Sequence, residues 1–345
     1  MFLGLFTFVV MNFNFSFIIP VYNRPQEIKE LLDSFVNLNY KDSFEIVIIE
    51  DGSTNTSEQI AESFKTKLKI SYYFKENSGP GDSRNYGMKR AKGNYFIILD
   101  SDCILPKEYL NFVKDSLTTE FVHCFGGPDA AHPNFTNLQK AINFSMTSFI
   151  TTGGIRGGKK NTKSFEPRSF NMGISKEAFE RSGGFGNIHP GEDPDLSLRL
   201  RKLGYTTKLI PEAFVYHKRR ISWSKFYNQV YKFGLVRPIL NKWHKEASKI
   251  TYWFPMAFTL GLIVAFVLLV FAYRFLIFVY AAYFLLVFMV SLIKTKNLVI
   301  SIMSVFAMLV QFIGYGSGFL LSTAHIKIFN RKPKEVFPFL FFELK

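Results

Sequence analysis

Four short apolar runs, Phe15 to Val21, Phe44 to Ile49, residues 70–74 and Tyr95 to Leu99, punctuate the first hundred residues, and each gives way to a stretch with helical spacing. The runs are rich in β-branched and aromatic residues and too short for buried helices, so they predict strands. The fourth, four consecutive apolar residues running into Asp100-Ser101-Asp102, has the pattern of a central strand covered on both faces. Between the first two, Ile28, Leu31, Leu32 and Phe35 share one helical face, with Asn23 suited to the N-cap and Pro25 to the first turn. Further helices are predicted from about Ser57 to Lys67 and from Asp82 to Lys92, the latter closed by Gly93. Strands alternating with helices predict a parallel sheet with right-handed crossovers.

The alternation continues with a helix over Pro106 to Leu117, a strand over 121–127 and a helical stretch from about Phe135 to Ile150. The glycine-rich loop from Thr151 to Asn161 carries Arg156, Lys159 and Lys160 and reads as a mobile lid or an anion contact. Further on, Leu196, Leu200 and Leu203 share a face, Pro194 fits the first helical position, and Gly204 lies just past the end. That register makes Asp193 the N-cap. One last strand, residues 207–218, reaches His217.

Beyond residue 217 the pattern changes. Nine basic residues between Lys218 and Lys249 face Glu246 alone, while Trp223, Phe226, Tyr227, Val230 and Tyr231 form an apolar stripe at helical spacing. A basic amphipathic helix of this kind is expected to lie in a membrane interface with anionic lipids; nucleic acid is the rival partner. Lipid is favoured because Tyr252 to Ala272, Phe275 to Ile293 and Leu298 to Leu321 are each long and apolar enough to cross a bilayer. The division expected is therefore an apolar extension (1–12, with Met11 an alternative start), an α/β domain (13–217), an interface segment (218–250), about three membrane helices (251–322) and a basic tail (323–345). The basic segment places the α/β domain in the cytoplasm against the cell (inner) membrane. Three full crossings would put the tail outside, against the same rule, unless one segment does not cross; Gly314, Gly316 and Gly318 suit either tight packing or re-entry.

Composition adds two points. The net charge of +15 over 345 residues suits an anionic partner, either nucleic acid, acidic lipid or a phosphorylated substrate. Two cysteines without metal-ligand spacing argue against a disulfide framework and for a reducing compartment. The first ten residues lack a basic n-region and a small-residue cleavage site, so no signal peptide is read.

Three places carry candidate chemistry. Asp100 and Asp102 stand at a strand's C-terminal end, where open α/β sheets bind ligands, and can share a divalent cation. Gly79, Pro80 and Gly81 form a turn before a helix that carries Arg84, an arrangement able to meet an anion, although it is no P-loop. Glu192 and Asp193 supply either a general base or simply an acidic first helical turn.

Taken in order, these pieces resemble the family 2 glycosyltransferases of the GT-A fold, a Rossmann-type mostly parallel sheet with flanking helices. "SFIIPVYNRPQEI" looks like the family's opening strand and nucleotide loop, and "VIIEDGSTNTS" like its D-D-G-S element with Glu50 in place of the first Asp. "GDSRNYGMKRAKGNYFIILDSDCILP" is similar to the helix leading into the D-x-D strand, and "GEDPDLSLRLRKLGY" to the helix bearing the base. The resemblance covers about 14–220 and implies a metal-dependent, inverting transfer from a nucleoside-diphosphate sugar, a UDP-sugar foremost. It implies that Asp51 contacts the base or ribose beside Pro20, Tyr22, Asn23 and Glu50, and that Arg84 faces the diphosphate side. Asp100 and Asp102 would hold Mg2+ or Mn2+, with Asp102 coordinating directly and His217 a further metal or diphosphate contact. Asp193 would be the base and Glu192 its fallback. The Q-x-x-R-W signature of processive synthases is absent at Gln229, which favours transfer of one sugar. The membrane segments suggest a lipid-linked glycan acceptor in cell-surface polysaccharide or glycolipid synthesis. Two alternatives stand beside this reading: a polyprenyl-phosphate glycosyltransferase that charges the lipid carrier, and a silent homologue scaffolding a membrane complex. The intact acids count against the second, and nucleic acid is not expected as a partner.

Overall fold

The computed structural model describes residues 12–130, 132, 134–153, 165–218 and 222–342. Residues 1–11 of the apolar extension, most of the glycine-rich loop, Arg219, Arg220 and the last three residues of the tail lie outside the described residues.

The parallel half of the sheet is as expected. Strands β1 (Phe15–Val21), β2 (Glu45–Asp51), β3 (Ile70–Lys75) and β4 (Tyr95–Leu99) run parallel in the order β3-β2-β1-β4, joined by helices α1 (Pro25–Val36), α2 (Glu58–Phe64) and α3 (Pro80–Arg90). Alternation along the strands builds two apolar layers. Phe17, Ile19, Ile46 and Ile48 pack with Ile28, Leu31, Leu32 and Phe35 of α1 on one face. Ile18, Val47, Ile49 and Ile98 pack with Met88 of α3 on the other. Each such fully buried side chain contributes about 1.5–3 kcal/mol. The same alternation sends the two acids at the end of β2 to opposite faces. Arg24, not Asn23, occupies the N-cap of α1. Asn23 is held at φ 53°, its side-chain oxygen accepting from the backbone N–H groups of Thr54 (2.9 Å) and Asn55 (3.0 Å).

After β4 come β5 (Cys103–Ile104), α4 (Tyr109–Thr119), β6 (Cys124–Gly126), β7 (Asp129–Ala130), α5 (Asn137–Thr147) and the short α6 (Phe149–Thr152). They are followed by β8 (Asn171–Ser175), α7 (Lys176–Ser182), α8 (Glu192–Lys202), β9 (Thr207–Leu209) and β10 (Val215–His217). The sheet continues β4-β8-β6-β9, with β8 antiparallel to both neighbours, so it is mixed. The single strand expected over 207–218 is two: β9 ends the large sheet, and β10 joins β5 and β7 in a small one, with Pro211 between them. The pairing of β10 with β5 sets His217 opposite Cys103, beside Asp102.

The C-terminal part comprises α9 (Trp223–Trp243), α10 (Phe254–Val270), α11 (Phe275–Thr295) and α12 (Leu298–Thr323). Three apolar helical stretches, Ile250–Val270, Phe275–Thr295 and Leu298–Ile328, are long enough to cross a membrane. The apolar stripe of α9 is turned inward in part, with Tyr227 left exposed. Phe226 and Val230 are buried against Ile142 and Met146 of α5 and Ala307 of α12. Glycines make this approach possible: a Cβ at Gly234 would strike the Tyr315 carbonyl, and one at Gly318 the Tyr231 carbonyl. Bare apolar surface lies on α10 and α11, where Val270, Phe275 and Ile293 are exposed, and on part of α12, where Leu298, Val299 and Phe306 are exposed.

The chain then returns to the α/β domain. Leu340 and Phe337 pack with Ile188 and with Leu235 and Ile239 of α9. Phe341 pairs with Ile188 in an antiparallel bridge, and the His189 N–H donates to the Leu340 carbonyl at 2.7 Å. The Phe342 ring covers Gly79, the left-handed residue (φ 89°) that opens α3.

Candidate active site

The C-terminal end of β4 is the centre of the site. Asp102 accepts from Arg24 at 2.8 Å on one oxygen and faces His217 Nε2 at 3.1 Å on the other. Asp100, whose side chain is about a third exposed, accepts from Arg84 at 2.8 Å. The buried Arg84 guanidinium reaches across to Glu192 at 2.9 Å, tying the end of β4 to the start of α8. His189 Nδ1 lies 3.0 Å from the same Glu192 oxygen.

The start of α8 differs from the expected register. Gly191, at φ 122°, is the N-cap, and the helix begins at Glu192, two residues early. Only glycine takes that backbone angle without strain, and it moves the cap upstream. Asp193 therefore makes no capping bond; its carboxylate lies 3.8 Å from Arg168 and receives a long 3.4 Å contact from the Ser169 N–H. Environment separates the two acids. Burial opposes ionisation of Glu192, but His189 and Arg84 outweigh it and hold the carboxyl down to about 2. Burial pushes the Asp193 carboxyl up, with Arg168 opposing in part and the Glu192 charge adding to the rise. Glu192 is thus a committed anion, and Asp193 the better proton acceptor.

The acids of β2 divide by face. Asp51 accepts from Lys75 Nζ (2.7 Å) and from the N–H groups of Ser78 and Gly79 (both 3.0 Å), so it fixes the turn before α3. Glu50 is fully buried on the opposite face, accepting from Ser53, the Ser57 N–H (2.8 Å) and hydroxyl (2.6 Å), and Tyr72 (3.1 Å). Its place in the fold is to anchor the start of α2, not to face a ligand at the strand ends. Tyr22 is 54% exposed beside Asn23, and Pro20 is half-buried.

A cavity of about 990 Å3 opens beside these groups. It brings together Arg84, Asp100, Glu192, Asp193 and His217 from the sequence-derived set and leaves Pro20, Tyr22, Asn23, Glu50, Asp51 and Asp102 outside its lining. Sequence reasoning passed over Arg24, Arg168, His189, Arg237 and Tyr252, all of which line it. Arg24 had a signal, a cation in the loop after the first strand; the others are joined to the site only by the fold.

The residues present fit a hard divalent cation. Asp102 and His217 offer a carboxylate oxygen and an imidazole nitrogen in one group with Cys103, and the His217 Nδ1 has no hydrogen-bond partner among the described residues. Burial pushes the Cys103 thiol well above its usual range, so without a cation it stays protonated. A carboxylate–imidazole pair suits Mn2+ better than Mg2+, which prefers all-oxygen shells.

A mixed α/β sheet with acids at its central strand end, facing an acidic helix start across a cavity, is the GT-A-like architecture. The mannosyltransferase PcManGT from Pyrobaculum calidifontis, solved with GDP-Man and Mn2+, has this fold: TM-score 0.55 at 16% identity, covering 94% of this chain and 89% of that one. Residues 16–183 match the model of glycosyl transferase family 2. The poly(ribitol-phosphate) beta-N-acetylglucosaminyltransferase TarS of Staphylococcus aureus is 39% identical over 99 residues, 28% of this chain and 17% of its own length. The probable glycosyltransferase YdaM of Bacillus subtilis is 27% identical over 226 residues, 62% of this chain and 53% of its own. The chain thus spans only part of the length of these relatives.

Proposed function

We propose that this chain is a membrane-associated, inverting glycosyltransferase that moves one sugar from a nucleoside-diphosphate sugar, a UDP-sugar foremost, to a membrane-borne glycan acceptor in cell-surface polysaccharide or glycolipid synthesis. The α/β domain works on the cytoplasmic side of the cell (inner) membrane. The observation that carries the reading is Asp193. It is an acid with a raised pKa, free of capping duty, on the cavity wall opposite the Asp100 end of β4.

In this mechanism Asp193 takes the proton of the acceptor hydroxyl as that oxygen forms a bond to the anomeric carbon. The bond from that carbon to the diphosphate breaks on the opposite face, and its electron pair leaves with the nucleoside diphosphate. Asp102, His217 and, once released from Arg84, Asp100 would hold Mg2+ or Mn2+, which when bound supplies Lewis-acid neutralisation of the leaving diphosphate. Arg84 keeps the two sides of the site in register, and Asp51 orders the turn under the nucleotide side.

A screen of nucleotide sugars for donor hydrolysis and transfer, with and without Mn2+, tests the reading. One donor is expected to be consumed by wild type and spared by Asp102→Ala. Equal behaviour of the two proteins on every donor would remove the enzyme reading.

A further inference from the structure

Glu166, just before β8, is a carboxylate surrounded by cations: Arg201 at 3.5 Å, Lys249 at 3.6 Å and Arg168 at 3.9 Å. Burial opposes its ionisation, yet these three and Arg237 hold its carboxyl below the usual range. Against four cations stand Glu166, Asp193 at 3.8 Å from Arg168, and Asp129 farther off, which leaves the cluster positive. Neither ion pair of Arg168 reaches hydrogen-bond distance, and its guanidinium lines the cavity. Arg237 lies 4.1 Å from the ring centre of Tyr252. Tyr252 is 3% exposed, and its hydroxyl has no hydrogen-bond partner among the described residues. An unmatched buried hydroxyl costs about 1–3 kcal/mol, so its place beside two guanidinium groups on a cavity wall points to a ligand acceptor atom. Guanidinium pairs with a hydroxyl suit phosphate oxygens. Away from Asp193 the wall turns apolar, through Met146, Phe149, Ile150, Ile250, Phe254 and Pro255, toward the exposed hydrocarbon of α10.

We propose that Arg168, Arg237 and Tyr252 form a subsite for the phosphate of an amphiphilic acceptor, a lipid phosphate or diphosphate, whose hydrocarbon leaves along the apolar wall onto α10. This deepens the glycosyltransferase reading and rests on it for the identity of the acceptor. Because Arg168 adjoins Asp193, the phosphate lies within one sugar ring of the reacting oxygen. The acceptor is therefore a lipid phosphate itself or a lipid diphosphate bearing a short saccharide. With a saccharide acceptor the bonds made and broken are those given above. With a lipid phosphate, an anionic phosphate oxygen forms the bond to the anomeric carbon with no proton for Asp193 to take, and the bond from that carbon to the nucleoside diphosphate breaks, its electron pair leaving with the diphosphate.

The rival source of phosphate is the donor, and binding separates the two. Titrations of the full chain in micelles with farnesyl phosphate, farnesol and UDP need no turnover. Wild type is expected to bind farnesyl phosphate at least about tenfold tighter than farnesol, the scale of one charge-assisted hydrogen bond. Arg237→Gln and Tyr252→Phe are each expected to erase most of that difference and leave UDP affinity within about twofold; Arg237→Lys restores part of it. Tyr252→Phe removes only a hydroxyl with no hydrogen-bond partner among the described residues, so it is expected to keep the fold. A matching loss of UDP affinity would assign the cluster to the donor and overturn the proposal, as would unchanged farnesyl phosphate binding in both variants. A chain that shows the expected binding pattern yet transfers no sugar would refute the enzyme reading and leave the subsite standing.

Discussion

Replacing Arg84 by methionine probes the joint between the two halves of the site. The guanidinium is 4% exposed and gives one 2.8 Å bond to Asp100 and one 2.9 Å bond to Glu192, itself only 4% exposed. Arg84→Met leaves the Glu192 carboxylate buried with His189 as its remaining partner, and breaking a buried pair from one side costs about 3–5 kcal/mol. Linkage gives a similar scale: lowering the Glu192 pKa from 4.5 to about 2 is worth about 3 kcal/mol, shared between His189 and Arg84. We therefore expect a loss of about 3 kcal/mol at pH 7, a large part of a typical 5–15 kcal/mol. The sign with pH follows from the depressed pKa. The stabilisation is complete above the ordinary carboxylate range and fades as pH falls from 4.5 toward 2, so the deficit of Arg84→Met is largest at pH 6–8 and shrinks in acid. Guanidinium unfolding in detergent, followed by Trp223, Trp243 and Trp253 fluorescence, measures it. The double variant Arg84→Met with Glu192→Gln is expected to recover about half or more of the loss, since no buried charge is then stranded. A loss under about 1 kcal/mol, or one of equal size at pH 7 and near pH 2, would refute the reasoning.

Asp193→Asn is expected to lower kcat by about 10²–10⁴-fold. Its melting temperature should stay near that of wild type, because the side chain makes no capping bond; a steep fall with activity tracking folded protein would point to a structural role instead. With Asp193 raised by burial, opposed by Arg168 and reinforced by Glu192, the acid limb of a kcat/KM profile should lie above the ordinary Asp range and vanish in that variant. Gly318→Leu should part α9 from α12 and cost about 1–3 kcal/mol in a thermal melt. Chelation should abolish transfer and Mn2+ restore it better than Mg2+, a contrast that His217→Gln should reduce.

How far the sequence reads depends on how local each signal is. The strands β1 to β4 and the face of α1 were legible because apolar runs and Pro25 act through their own neighbours. So was the clustering of Asp100 with Glu192 and Asp193, although only through ordered motifs. Strand β8 was missed because alternate positions are Asn171, Gly173 and Ser175, which are placed by distant partners: Asn171 bonds Tyr109 and the Ala213 carbonyl, and Gly173 faces the Phe125 ring. Its sequence carries no apolar run, so nothing local announced it. The inward turn of α9 was hidden for a related reason. An apolar stripe states that a face is buried but not against what, and here α12 and α5 supply the cover that lipid would otherwise give. The N-cap of α8 was misread because Pro194 is a strong local cue, whereas the positive φ of Gly191 belongs to the approach of the preceding loop.

The return of residues 337–342 to Ile188 and Gly79 imposes a rule of parity. A chain that leaves a domain and ends by pairing with that same domain passes through any intervening sheet of lipid an even number of times. With that constraint, the expected arrangement of the three apolar helices is two that cross and one that does not. α12 is the natural odd member, since 39% of its most apolar window is buried within the protein, against 11% for each of the other two. The α10–α11 pair then forms a hairpin with Arg274 at its far tip, and Lys327, Arg331, Lys332 and Lys334 share one side with the basic segment before α10. A protease tag fused after Lys345 should accordingly be cut from the same face as the α/β domain in sealed vesicles. A tag cut in this way would mean that the charge rule, which three crossings would break, is kept by a helix that stays home.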